Sequence, residues 1–174
     1  MTFLTVILKN SEILKKNDAF YKTHRSLRIL LTSPLAKTSH LRVILHTSIN
    51  VMIELNSKLD IPSDIDEYSE MMEYLSKRMK LKTSDKKILA KVVKSKIEEH
   101  LDPNTYKIGL SPEGKQLTID NSENVSYSVF INVDKGKEMN YEVEYNLRVS
   151  DYELGIDHSL FRLVNLFERA YEIF

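Results

Sequence analysis

The chain has 174 residues, 42% of them hydrophobic, which is enough to bury a full core in one domain. It carries no cysteine, so disulfides, thiolate metal sites and cysteine nucleophiles are excluded. Its 25 basic and 25 acidic side chains cancel, and any attraction for polyanions must come from a local patch.

That balance hides a division. Residues 1–96 hold 18 bases and 10 acids, whereas residues 97–174 hold 7 bases and 15 acids. The expected organisation is a single α+β domain over 1–174, with a basic, helix-rich sub-lobe over 1–101. An acidic sub-lobe over 102–174 joins a β-meander to a terminal helix. Opposite charges of this kind attract each other either within one fold or between copies. Lysine outnumbers arginine eighteen to seven, a usage that fits AT-rich genomes such as those of viruses, phages and many bacteria. The first apolar run, residues 3–8, is too short for a signal peptide and lacks a basic leader. No run approaches a membrane span, so a cytoplasmic or virion-internal location is expected.

In chain order, residues 2–8 form an apolar, β-branched run that suits a strand covered on both faces. Asn17 or Asp18 can cap a helix that turns Phe20, Leu27, Leu30 and Leu31 inward and ends before Pro34. From 41 to 55 the odd positions read Leu41, Val43, Leu45, Thr47, Ile49, Val51, Ile53 and Leu55, a period of two that favours one long or bent strand over a helix drawn through Leu41, Ile44, Leu45, Met52 and Ile53. Ile65, Tyr68, Met71, Met72, Leu75 and Met79 then recur at intervals of three and four, the stripe of an amphipathic helix capped by Ser63 and Asp66. Ile88, Leu89, Val92, Val93, Ile97 and Leu101 draw a second helix up to Pro103, and the pair is expected to be antiparallel or sharply bent.

Beyond Pro103 the pattern is β. Residues 106–110 and 116–120 flank Ser111-Pro112-Glu113-Gly114 and predict a hairpin. Residues 125–133 and 141–149 alternate apolar with polar, as in a meander with one solvated face. The fold class expected is therefore an antiparallel or mixed sheet with a C-terminal meander, packed on one face by amphipathic helices. Residues 159–174 close the chain as a helix whose apolar arc is wide.

Candidate chemistry is sparse. His24, His40, His46, His100 and His158 have no paired metal-ligand spacing, and the four glycines stand singly, so neither a metal site nor a cofactor fingerprint is expected. Asp102 with Glu113 and Lys115 faintly echoes a metal-dependent nuclease, a third reading behind two contact-based ones. The leading reading is a non-enzymatic assembly or adaptor protein, of the kind found among viral or phage structural and accessory subunits. It would act through a protein partner or through self-association as a homo-oligomer. Its basic surface would be Lys80, Lys82, Lys86, Lys87, Lys91 and Lys94, and its acidic or apolar surface Phe130, Glu142, Glu144, Phe161 and Phe174. The alternative is a nucleic-acid-binding protein that offers the lysine-rich helix over 77–96 to phosphates. No residue motif is specific enough to name a family.

Overall fold

A computed structural model describes residues 2–122 and 125–174. Its organising element is strand β1 (Leu4–Ser11), in which Leu4, Val6, Ile7 and Leu8 are all fully buried. A run so apolar on both faces belongs in the middle of a parallel sheet, and β1 pairs in parallel with β2 (Leu41–Thr47) on one side. The return between them is made by helix α1 (Asp18–Thr32) and the single turn α2 (Pro34–Lys37). Asn17 starts α1 by accepting the Phe20 N–H at 2.9 Å, and Ser33 ends it and caps α2.

The periodic stretch 41–55 is two strands, not one. Residues 48–51 turn the chain with Asn50 at φ 61°, and β3 (Met52–Leu55) returns antiparallel to β2. The period of two survives because both strands alternate against the same core. Helix α3 (Ile65–Arg78) follows, buried through Tyr68, Met72 and Leu75. Its cap is Asp64, which accepts the Asp66 and Glu67 N–H groups at 3.0 Å, so the cap lies between the Ser63 and Asp66 expected. Met79, at φ 65°, closes it in the left-handed conformation.

The second predicted helix does not form. Residues 80–93 make a hairpin of β4 (Lys80–Lys82) and β5 (Ile88–Val93), and only Ile97–His100 coil, as a single 3₁₀ turn. Ile88, Val92 and Val93 are β-branched, and the exposed edge of β3 offers them a ladder through Met52–Val93 and Ile53–Val92. Thr83 and Asp85 bond each other in the tight turn, with Lys86 at φ 66°.

The C-terminal part is parallel rather than a meander. Strand β6 (Thr105–Gln116) and β7 (Ser126–Asn132) pair in parallel, β7 pairs in parallel with β1, and β8 (Tyr145–Arg148) lies parallel on the outer side of β6. The eight strands among the described residues run β4-β5-β3-β2-β1-β7-β6-β8. Helix α4 (Ile156–Ala170) then crosses back to pack on α1. The α+β expectation holds as a mixed sheet with helices, but the sheet is mostly parallel.

Ser111-Pro112-Glu113-Gly114 is not a hairpin turn. Leu110 and Lys115 both align with Leu147 of β8, so the chain leaves the ladder for four residues and rejoins the same strand. Gly114 permits the return: a Cβ there would lie 2.5 Å from the Asn146 carbonyl oxygen and 2.7 Å from its carbon, both backbone atoms.

The two sheet faces differ. Leu4, Val6, Leu8, Val43, Leu45, Val129 and Ile131 face α1, α3 and α4 in the main core. Ile7, Ile44, Met52 and Phe130 face the other way, under Ile97 of the 3₁₀ turn and Met139, Tyr141 and Val143 of the segment after β7, with no α-helix contributing. Phe130, expected outward, is only 2% exposed because that segment folds over it.

Two substitutions test these contacts. The Tyr68 hydroxyl is buried without a partner, and burial pushes its pKa well above the ordinary tyrosine range. Tyr68→Phe removes an unsatisfied polar atom and is expected to raise stability by about 1 kcal/mol in urea unfolding; a loss would mean the hydroxyl is bonded. Gly114→Ala is expected to cost about 2–3 kcal/mol in the same measurement, and a neutral result would show that β6 does not press on β8.

Candidate active site

The parallel strands β1, β2, β6, β7 and β8 end on one side of the sheet, the position where open α/β sheets gather their functional loops. One cleft opens there, and a second lies on the neighbouring sheet face. The first, with a cavity volume of about 170 Å³, lies between three segments: the 111–114 excursion of β6, the segment after β7, and residues 149–156 after β8. Its walls are apolar through Leu110, Ile131, Val149 and Leu154, and its polar groups are few, among them Asn132, Ser150 and Ser159.

Each wall is held by named bonds. Asn10, at φ 57°, donates from Nδ2 to Asn132 Oδ1 at 2.9 Å and to the Glu138 carbonyl at 3.2 Å, while Asn132 Nδ2 donates to the Lys137 carbonyl at 2.8 Å. The ends of β1 and β7 thus fix the 133–144 segment. Asp134 Oδ1 accepts the Gly136 N–H at 3.0 Å and tightens its turn. On the opposite wall Arg162 of α4 donates to the Val149 carbonyl at 3.1 Å, and Ser150 Oγ accepts the Tyr152 N–H. Lys135 and Glu153 join the two walls at 2.8 Å across exposed solvent, and the hydrogen bond from Lys135 holds the Glu153 carboxyl below its ordinary range.

The second cleft, of about 690 Å³, opens on the sheet face that lacks an α-helix. The two clefts share Phe130, which lines both. Arg42 anchors the 3₁₀ turn beside the second cleft: it pairs with Glu54 at 3.0 Å and donates to the His100 carbonyl. His100 in turn bonds Ser95 Oγ at 2.6 Å, which fixes the residues carrying Lys94 and Lys96.

The residues singled out in the sequence are distributed otherwise than expected. Lys80 and Lys82 stand on β4, Lys86 and Lys87 in the turn, and Lys91 on β5, where it approaches Glu54 at 3.9 Å. They line a hairpin edge instead of a helix side, and Lys94 alone of the six reaches the second cleft. Glu144 accepts the Lys107 N–H at 3.3 Å, Glu142 lies on the rim of the second cleft, and Phe161 and Phe174 are exposed at 57% and 97%. Asp102 precedes β6 and Glu113 and Lys115 stand at its far end, so the nuclease-like trio is not assembled. Among the described residues no group of three His, Cys, Asp or Glu side chains could hold a metal, and no helix is long and apolar enough to cross a membrane. Sequence reasoning missed Asn10, Asn132 and the three wall segments. Gly114 beside Pro112 was the available signal, and a turn explained it too readily.

Comparison with known proteins gives these clefts a context. Residues 10–168 match the model of the EMG1/NEP1 methyltransferase family. No curated protein matches the chain. The solved structure of Archaeoglobus fulgidus Nep1 bound to S-adenosylhomocysteine superimposes with a TM-score of 0.77 over 98% of this chain and 99% of that one, at 13% identity, which shows a common fold. The family match overturns the expectation of a non-enzymatic adaptor or assembly protein, and with it the viral or phage structural role. Those readings rested on a lysine-rich helix that does not exist and on the absence of catalytic motifs, whereas this family is one of enzymes. With more than half of its length inside the family model, the chain belongs to the EMG1/NEP1 methyltransferase family.

Proposed function

We propose that the protein is an RNA methyltransferase whose methyl donor, S-adenosylmethionine, occupies the cleft between the 111–114, 133–144 and 149–156 segments. The observation that carries this reading is the convergence of three loops at the carboxyl ends of β6, β7 and β8. The donor set fits: apolar walls at Leu110, Ile131 and Leu154 suit a nucleoside ring system, and Asn132, Ser150 and Ser159 offer amide and hydroxyl groups to its polar edges. The relative of the same fold was solved with S-adenosylhomocysteine, the product such a donor leaves behind.

When bound, the donor supplies an activated methyl group that passes to a nucleophilic atom and leaves a neutral thioether. The work of this chain is to orient and to exclude water. Asn10 and Asn132 hold one wall against the sheet, Arg162 braces the other, and the Lys135–Glu153 pair closes the mouth. An exposed pair of that kind stabilises little by itself and is screened by salt, so it opens readily to admit a ligand.

An RNA substrate is supported by lysines near the clefts rather than by the net charge. Lys94, Lys96 and Lys107 line the second cleft, and Lys80, Lys82, Lys86 and Lys87 extend the basic surface along the β4–β5 hairpin. Each phosphate they neutralise releases counterions, which makes the binding steeply salt-dependent.

Titration calorimetry with S-adenosylhomocysteine tests the donor site. One molecule is expected to bind per chain, and Leu154→Arg, which places a charged side chain on the apolar wall, is expected to abolish it while thermal unfolding stays cooperative. Absence of binding by the wild-type protein, or undiminished binding by Leu154→Arg, would overturn the assignment. Charge reversal at Lys82 and Lys87 is expected to weaken RNA binding and to flatten its salt dependence by roughly one to two units of slope.

A further inference from the structure

The first cleft is apolar over most of its wall, and among the described residues that line it Lys135 and Glu153 are the only charged side chains. They stand on opposite walls, 18 residues apart in the chain, and meet at 2.8 Å with 61% and 72% of their side chains exposed. An exposed pair of two long side chains adds little to stability, because water screens the attraction and fixing both side chains costs rotamer entropy. As a strut between the walls the pair is therefore weak. As a pair of opposite charges at the mouth of an apolar cleft it has a chemical use.

The neighbouring charges are engaged elsewhere. Asp134 Oδ1 accepts the Gly136 N–H at 3.0 Å, Asp151 pairs with Arg148 at 3.3 Å and Asp157 with Arg25 at 3.1 Å, and none of these residues lines the cleft. Arg162 is committed to the Val149 carbonyl. A ligand that brings one cation and one anion into this cleft finds one partner for each, Glu153 and Lys135, once these two release each other.

We propose that Lys135 and Glu153 recognise the amino-acid end of the methyl donor: each exchanges the other for the ligand, Glu153 taking the α-ammonium group and Lys135 the α-carboxylate. The inference rests on the donor-site reading and adds to it the two residues that read the zwitterionic end. One exposed pair is lost and two are formed, so both charges of the ligand leave bulk water with a partner. The depth of the cleft, at Leu110, Ile131 and Leu154, offers nothing to a charge, which leaves the ring system inside and the charged tail at the mouth. A nucleoside thioether without that tail fits the same apolar walls and leaves the Lys135–Glu153 pair closed, so the pair discriminates by the tail alone.

S-adenosylhomocysteine, its decarboxylated analogue and 5′-deoxy-5′-methylthioadenosine share one nucleoside and a thioether and differ in carrying both charges, the ammonium alone, or neither. Titration calorimetry of the three into the whole chain is the test. The wild-type protein is expected to bind S-adenosylhomocysteine about tenfold more tightly than methylthioadenosine. Lys135→Met and Glu153→Gln are each expected to lose about tenfold for S-adenosylhomocysteine, to leave methylthioadenosine within about twofold, and to keep the melting temperature, since the pair is exposed. The decarboxylated analogue assigns the partners: Glu153→Gln is expected to weaken it about tenfold and Lys135→Met to leave it unchanged. Equal affinity of the wild-type protein for S-adenosylhomocysteine and methylthioadenosine overturns the inference and leaves the donor site standing. Equal weakening of all three ligands by either variant also overturns it, because the pair then only shapes the mouth, and so does undiminished binding of S-adenosylhomocysteine by both variants. A wild-type protein that binds none of the three removes the donor-site reading itself.

Discussion

Strand β1 is buried on both faces and bonded in parallel on both sides, and that arrangement constrains almost everything else in the molecule. A parallel neighbour cannot be reached by a tight turn, so between parallel partners the chain must leave the sheet and cross over it. The β1–β2 crossover carries α1 to one face, where Leu4, Val6 and Leu8 meet it in the core shared with α4. They also leave the strand ends aligned on one side, with the connecting segments beyond them. The first cleft is built from those segments, so its existence follows from the hydrogen-bond direction of the central strands.

The opposite face shows what happens when the same constraint is met without a helix. Ile7, Ile44 and Phe130 need cover as much as Leu4 and Leu8 do, and they receive it from one 3₁₀ turn and the 133–144 segment. Such a cover is held by side chains reaching to backbone groups, among them Arg42 to His100, Asn10 to Glu138 and Asn132 to Lys137. A helix would have satisfied its own backbone and filled the face. A segment pinned at a few points leaves troughs, and here the trough retains His46 and Tyr141 as polar groups without partners. The incomplete cover and the second cleft are one feature.

How much of this was legible in the sequence depends on which residues carried periodic information. Phe20, Leu27 and Leu30 define α1, and Tyr68, Met72 and Leu75 define α3, because each set has one face to bury and a cap at its start. Alternation over 125–133 identifies a strand, but it does not give the direction of its neighbours. In an antiparallel meander Ser126, Ser128 and Phe130 would face solvent, whereas all three are buried between parallel strands. At 88–101 the spacing of Ile88, Leu89, Val92 and Val93 satisfies a helix, and only pairing with β3 decides against it. The cleft walls were invisible for a different reason. Asn10, Asn132 and Gly114 act at single positions, through one bond or one missing methyl group, and single positions have no period.

The charge pattern has a related resolution. As one side of a helix, the lysines over 80–94 point to assembly or to phosphate binding. On a hairpin edge they have a second physical role, since an exposed edge strand invites pairing with other chains and lysines discourage it. Lys80 and Lys82 on β4 meet that need whether or not a polyanion is present. Lys94, Lys96 and Lys107 do not stand on that edge strand; they line the cleft on the sheet face together with Glu98 and Glu142. The lysines on the hairpin edge and those in the cleft are therefore separable by position.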